Sequence, residues 1–137
     1  MPKLLALDYG MKSTGVAATD DLQIIASGVG TVLTKDLFDF LKTYIAKNKV
    51  EALVVGDPRR MNNEDTHATP LVREFVEKFK KIYPDIPVHM EDERFTSKMA
   101  SQSMIDMGMK KKDRQRKELI DEISAVIILQ SFMQSRS

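Results

Sequence analysis

The sequence predicts an α/β domain: a mixed five-stranded sheet, with an antiparallel meander of three strands plus two parallel strands, flanked by helices. Three observations predict it. The first quarter of the chain carries strand-like apolar runs separated by short turns. From residue 36 the apolar period changes to that of an amphipathic helix. Beyond that point strand and helix patterns alternate, as parallel crossover units require.

Each element follows from its residues. KLLALD (3–8) is a short apolar run, STGVAATD (13–20) alternates loosely, and LQIIASGVGTVL (22–33) is long and rich in β-branched residues. The connections YGMK and Asp20-Asp21 are short enough for antiparallel hairpins. Gly28 and Gly30, inside the third strand, mark a bulge or a close backbone approach. Between Asp36 and Asn48, the residues Leu37, Phe40, Leu41, Tyr44 and Ile45 fall at i, i+3, i+4, i+7 and i+8, an amphipathic helix. VEALVV (50–55) is nearly all apolar, as a parallel strand covered on both faces is. After the loop GDPRRMNNEDTHAT the helical period returns over 70–83 through Leu71, Val72, Phe75, Val76 and Phe79. IPVHME (86–91) reads as a further strand, with Pro84 and Pro87 as breakers. Residues 96–107 and 118–134 read as helices separated by a basic segment.

The order is thus β-β-β-α-β-α-β-α-α. It puts the first strand at the centre, with the hairpin strands on one side and the crossover strands on the other. The carboxyl ends of the parallel strands then line one crevice, where sites form in such sheets. Asp8, the Gly56-Asp57-Pro58 loop and the run Glu91-Asp92-Glu93-Arg94 all end there.

Composition bounds the function. A chain of 137 residues reads most simply as one domain, 1–137. It has no cysteine, which excludes disulfides, thiolate metal sites and cysteine nucleophiles. The N-terminus MPKLLALDYG has no longer apolar region or cleavage site, and no run approaches the ~18 apolar residues of a membrane span. The expectation is a cytoplasmic protein with no membrane partner. A net charge of +1 hides a local excess: residues 110–117, KKKDRQRK, hold six basic side chains against one acid. Nine methionines read as core and helix-face residues.

The chemistry lies in the carboxylates. Asp8 alone fits a turn cap, a phosphate-binding loop or a metal ligand. Strand alternation puts Glu91 and Glu93 on one face and Asp92 on the other, with Arg94 available to pair with Asp92 or a phosphate. Asp121 lies in the first turns of the last helix, where the dipole favours an acid. It also shares a stripe with Ser124, Ala125 and Ile128, which places it at the rim of the helix–sheet interface. Converging carboxylates need a compensating cation, and hard oxygen ligands select Mg²⁺ or Mn²⁺. Such ions activate water against a phosphodiester without any nucleophilic side chain.

Asp8, Glu93 and Asp121 in this element order resemble a ribonuclease H-like fold. The strings LALDYGMKSTGVA, VVGDP, EDERFTS and KELIDEISAVIIL resemble the four blocks of the YqgF (RuvX-like) family, Holliday-junction resolvases and pre-16S rRNA nucleases. The likeness covers nearly the whole chain. It implies that Asp8, Glu93 and Asp121 are the catalytic, metal-binding acids, with Thr96 and the Gly56–Pro58 loop near the substrate. It also implies a metal-dependent nuclease, a hydrolase that acts in processing the 5′ end of precursor 16S rRNA or on branched DNA, as a monomer or homodimer. Where the family usually has Lys-Arg after the first glycine turn, this chain has Lys12-Ser13, and its loop after Gly-x-Pro reads RRMNNEDT. Arg59 and Arg60 are placed to substitute for the missing charge.

Independently of the likeness, phosphate contacts come from Lys, Arg and backbone amides. On that ground the segment with Lys110, Lys111, Lys112, Arg114 and Arg116, and Arg94, are candidate substrate-binding residues, and the likeness adds Lys12, Arg59, Arg60 and Thr96. His67 lies in the loop beside the site, and His89 reads as a packed strand residue. Tyr9 is the one aromatic adjacent to Asp8, and the sequence shows no aromatic cluster for base stacking. Two rivals compete. The D-x-G hairpin also resembles the phosphate loop of the actin, sugar-kinase and Hsp70 ATPases, but those need two lobes and an adenosine motif. A non-catalytic binding module of ribosome assembly or transcription would use the same fold with an idle site.

Overall fold

A computed structural model of the chain describes residues 2–20, 25–57, 69–92 and 117–136. It contains strands β1 (Lys3–Asp8), β2 (Ser13–Thr19) and β3 (Ala26–Leu33), then a single 3-10 turn (Thr34–Asp36) and helix α1 (Leu37–Lys47). Strand β4 (Val50–Asp57), helix α2 (Thr69–Ile82), strand β5 (Val88–Asp92) and helix α3 (Lys117–Arg136) follow. The sheet order is β3-β2-β1-β4-β5. β1 pairs antiparallel with β2 and parallel with β4, β2 pairs antiparallel with β3, and β4 pairs parallel with β5. This is the mixed sheet expected, with β1 at its centre.

Burial explains the order. Leu4, Leu5, Ala6 and Leu7 of β1 are all buried, so this strand is covered on both faces. On one face Leu5, Leu7, Val16, Leu53 and Val55 pack with Leu37 and Leu41 of α1 and with Val72, Phe75, Val76 and Phe79 of α2. On the other, Leu4, Ala6, Ala17, Ala52 and Val54 pack with Ala125, Ile128, Leu129 and Phe132 of α3. The alanines on this second face let the α3 backbone lie close to the sheet. Truncating Leu7, which has no exposed surface, to alanine costs about 2–5 kcal/mol by the usual large-to-small scale.

Both glycines of β3 serve the roles their position suggests. The β2–β3 register shifts at Val16/Ala17, which pair with Gly30 and Gly28, so Val29 is the extra, bulged residue. Gly30 has φ +148°, a backbone state that a side chain strains. At Gly28 the close approach is to α3: a Cβ there would lie 2.7 Å from Cγ of Glu122.

Element boundaries differ from the sequence expectation in physically sensible ways. β3 starts at Ala26 rather than residue 22, since Ile25 stands outside the ladder and closes the turn by donating its N–H to Asp20 Oδ1 at 2.9 Å. β4 runs on to Asp57, because Gly56 and Asp57 continue to pair with Glu91 and Asp92 after the apolar run has ended. β5 spans 88–92 rather than 86–91, and α3 spans 117–136 rather than 118–134. The expected helix over 96–107 lies outside the described residues.

Candidate active site

The site is built on the carboxyl-terminal edge of the sheet, around Asp8. Alternation along β1 puts Asp8 on the α3 face with Leu4 and Ala6, and it is half-buried. Its partner across β2 is Gly15. On β4, Leu7 pairs with Val55, and the next residue, Gly56, shares the α3 face with Ala52 and Val54. Neither strand flanking Asp8 therefore places a side chain beside its carboxylate.

The turn after Asp8 is held by a distant residue. Thr34 Oγ1 donates to the Gly10 carbonyl at 2.7 Å, and Thr34 N–H donates to the Lys12 carbonyl at 2.9 Å. The Thr34 hydroxyl has one proton. With that proton on Gly10, the 3.0 Å contact with Thr14 Oγ1 is a bond donated by Thr14, which is fully buried. Gly10 itself tolerates no side chain, since a Cβ would collide with the Ser13 carbonyl oxygen. Lys12, at the end of this turn, is exposed.

Further along the same face, Glu91 of β5 pairs with Gly56 and is half-buried. Its Oε1 accepts a hydrogen bond from Ser131 Oγ of α3 at 2.8 Å. Two strand spacings, roughly 9.6 Å, separate β5 from β1, so Glu91 anchors the sheet to α3 rather than joining Asp8. His89, on that same face, is exposed rather than packed into the core, and its ring lies against Phe132 with centroids 4.9 Å apart.

α3 carries Asp121 one turn before Ser124 and Ala125, both buried against the sheet. Ser124 is 1% exposed, and its Oγ has no hydrogen-bond partner among the described residues. Of the three expected metal ligands, the structure thus places the Asp8 side chain and the helix position of Asp121. Glu93 lies outside the described residues, as do Arg59, Arg60, Arg94, Thr96, Lys110, Lys111, Lys112, Arg114, Arg116 and His67. Among the described residues no three His, Asp or Glu side chains group closely enough to hold a metal.

Rings from three elements meet on the opposite face of the same edge. The sequence shows no aromatic cluster, yet Tyr9, Phe38 and Phe75 converge there. Phe75 is the hub, with Tyr9 centred 5.2 Å and Phe38 5.1 Å from it. These rings, with Thr34, Glu74 and Lys78, line a cleft of about 170 Å³. Burial, reinforced by the Glu74 carboxylate, holds the Tyr9 phenol above its ordinary pKa of 10.0, against an opposing pull from Lys78.

The sheet order and its covering helices are those of a ribonuclease H-like fold. The solved fowlpox virus Holliday junction resolvase superposes with a TM-score of 0.55 over 98% of this chain and 99% of that one, at 12% identity. The chain belongs to the RuvX family, described as "Holliday junction resolvase", whose model matches residues 2–135. It is 53% identical over 136 residues to a protein of Flavobacterium johnsoniae, covering 99% of both chains. A relative from Phocaeicola vulgatus is 54% identical over 136 residues, covering 99% of this chain and 98% of the relative. Both relatives are named "Putative pre-16S rRNA nuclease".

Proposed function

We propose that the protein is a metal-dependent nuclease that hydrolyses phosphodiester bonds in the cytoplasm, processing the 5′ end of precursor 16S rRNA. The observation that carries this reading is Asp8, a half-buried carboxylate at the end of the central strand, flanked on its own face by Gly15 and Gly56. Glycine on both neighbouring strands keeps strand side chains from crowding a ligand at that carboxylate. Identity above one half across whole relatives that carry the rRNA nuclease name supports the choice of substrate.

The residues suit a hard divalent cation. Asp8 supplies a hard oxygen donor at the end of the central strand, where both neighbouring strands carry glycine. Asp8, Glu93 and Asp121 would hold Mg²⁺ or Mn²⁺, which supplies activation of water and stabilisation of the leaving oxygen. The Gly10 turn that follows Asp8 is clamped by Thr34. Lys12, exposed on that turn, meets a backbone phosphate of the substrate. Arg59, Arg60, Arg94, Lys110, Lys111, Lys112, Arg114 and Arg116 are the further cationic candidates for phosphate contacts, with Thr96 as a hydroxyl donor, all read from the sequence. In the reaction water adds to phosphorus, the bridging P–O bond breaks, and a proton passes to the departing oxygen.

The family description favours a second reading, cleavage of a four-way DNA junction. The test compares a precursor 16S 5′-end fragment with a matched junction, using Mn²⁺, wild type and Asp8→Asn. Cleavage of the RNA alone by wild type supports rRNA processing. Cleavage of the junction alone replaces it with resolution.

A further inference from the structure

We propose that the cleft between Tyr9 and Phe38 is a nucleobase subsite, which takes one unstacked base of the RNA strand being cut. The inference rests on the nuclease reading and deepens it.

Position comes first. Asp8 and Tyr9 are consecutive, ~3.8 Å apart at Cα, and their side chains leave the strand end on opposite faces. Asp8 shares the α3 face with Ala6, while Tyr9 packs with the cluster on the α1/α2 face. A nucleotide that crosses this edge with its phosphate at Asp8 places its base on the Tyr9 side. A single-stranded RNA base that is unpaired and splayed out is bound in general by stacking on aromatic side chains.

The shape fits one base. Phe75 is 3% exposed and forms the floor, and the half-buried rings of Tyr9 and Phe38 lean on it at 34° and 40° as the walls. The volume, about 170 Å³, lies below the range of ~300–1,000 Å³ usual for drug- or cofactor-sized ligands. A single planar ring system is the occupant this space suits.

The rim is polar in a way that a purely structural aromatic cluster does not need. Glu74 and Lys78 pair at 3.1 Å at the mouth of the cleft, with side chains 61% and 60% exposed. They offer an acceptor and a donor to the exocyclic groups of a base while leaving its π-face to the rings. Thr34 lines the same cleft and also clamps the turn that carries Asp8. An occupied cleft therefore bears directly on the geometry of the catalytic edge.

The experiment measures binding of a single-stranded RNA spanning the cleavage site, with an abasic nucleotide moved through successive positions. Proteins carry Asp8→Asn to prevent cutting, and fluorescence anisotropy reads the affinity. With Tyr9 present, one abasic position should weaken binding by about 5- to 150-fold, the cost of losing one stacked base. Adding Tyr9→Ala should weaken intact RNA by the same factor and abolish the effect of that abasic position. Phe38→Ala, on a different element, should do likewise, and Tyr9→Phe should retain the position dependence. Equal losses at every position, or losses that multiply when the abasic site and Tyr9→Ala are combined, overturn the subsite. If cleavage by the Asp8-intact protein persists in that case, the nuclease reading stands without it. Absence of both RNA binding and cleavage overturns the two together.

Discussion

Thr34→Val tests whether the turn that carries Asp8 is held from outside the hairpin. Valine matches threonine in shape, so the substitution removes hydrogen bonding without opening a cavity. Two bonds go: the 2.7 Å bond to the Gly10 carbonyl and the 3.0 Å bond received from Thr14. Thr14 is fully buried, so its hydroxyl is stranded, and a buried unsatisfied polar group costs about 1–3 kcal/mol. For a chain of 137 residues each kcal/mol lowers Tm by roughly 3–5 °C, so thermal unfolding should show a fall of roughly 3–15 °C. Cleavage should fall with it, because Asp8 and Lys12 sit at either end of the released turn. The double variant Thr14→Val/Thr34→Val separates the two effects. Replacing both hydroxyls by apolar groups of the same shape should return most of the stability. It leaves the Gly10 carbonyl without its clamp, so cleavage should stay low. A Thr34→Val protein with wild-type Tm and wild-type cleavage would refute the reasoning.

Two further outcomes follow from the packing and the electrostatics. Gly28→Ala should cost at most about 1 kcal/mol, since its Cβ would meet the Glu122 side chain, 2.7 Å from Cγ, and that half-buried side chain can swing aside. Glu122→Ala in the same chain should relieve it, and thermal unfolding of the single and double variants reads the difference. Tyr9 makes stability fall at high pH. Its folded pKa lies above the ordinary 10.0, so its contribution is complete below pH 10 and is lost as pH rises through the folded value. The slope of Tm between about pH 9 and pH 11 should flatten in Tyr9→Phe, and an unchanged slope would assign the fall to other groups.

Much of the scaffold was legible because burial writes a strong pattern. The apolar run Leu4–Leu7 is covered on both faces, and the bounds of β1 match those read from sequence. The strand order followed from the meander and the crossovers, and Gly28 and Gly30 did mark the close approach and the bulge. Strand ends were less legible, because hydropathy stops where burial stops while pairing continues. Gly56 and Asp57 belong to β4 through the ladder with β5 and carry no apolar signal. The 3-10 turn at Thr34–Asp36 gives no signal in the sequence, since a single tight turn has no period of its own.

At the site, Asp8 stood out because a carboxylate ended the most apolar strand. The Thr34 clamp and the aromatic cleft gave no local signal. Tyr9, Phe38 and Phe75 come from a hairpin turn and two helices, and only the covering of one sheet face brings them together. Phe38 and Phe75 read correctly as helix residues, and nothing in helical period says that a third ring waits at the strand end. Gly15 and Gly56 are similar. Each looks like an ordinary strand glycine until register places them on either side of Asp8.

The central claim is that Asp8 serves catalysis rather than turn capping, and cleavage of the precursor 16S 5′-end fragment with Mn²⁺ tests it most directly. Asparagine preserves the size of Asp8 and its capacity to cap a turn while removing the charge. The account predicts that Asp8→Asn keeps the wild-type Tm to within a few degrees and loses at least about a hundredfold in cleavage rate, a barrier increase of about 2.7 kcal/mol. Cleavage by Asp8→Asn at the wild-type rate would contradict it.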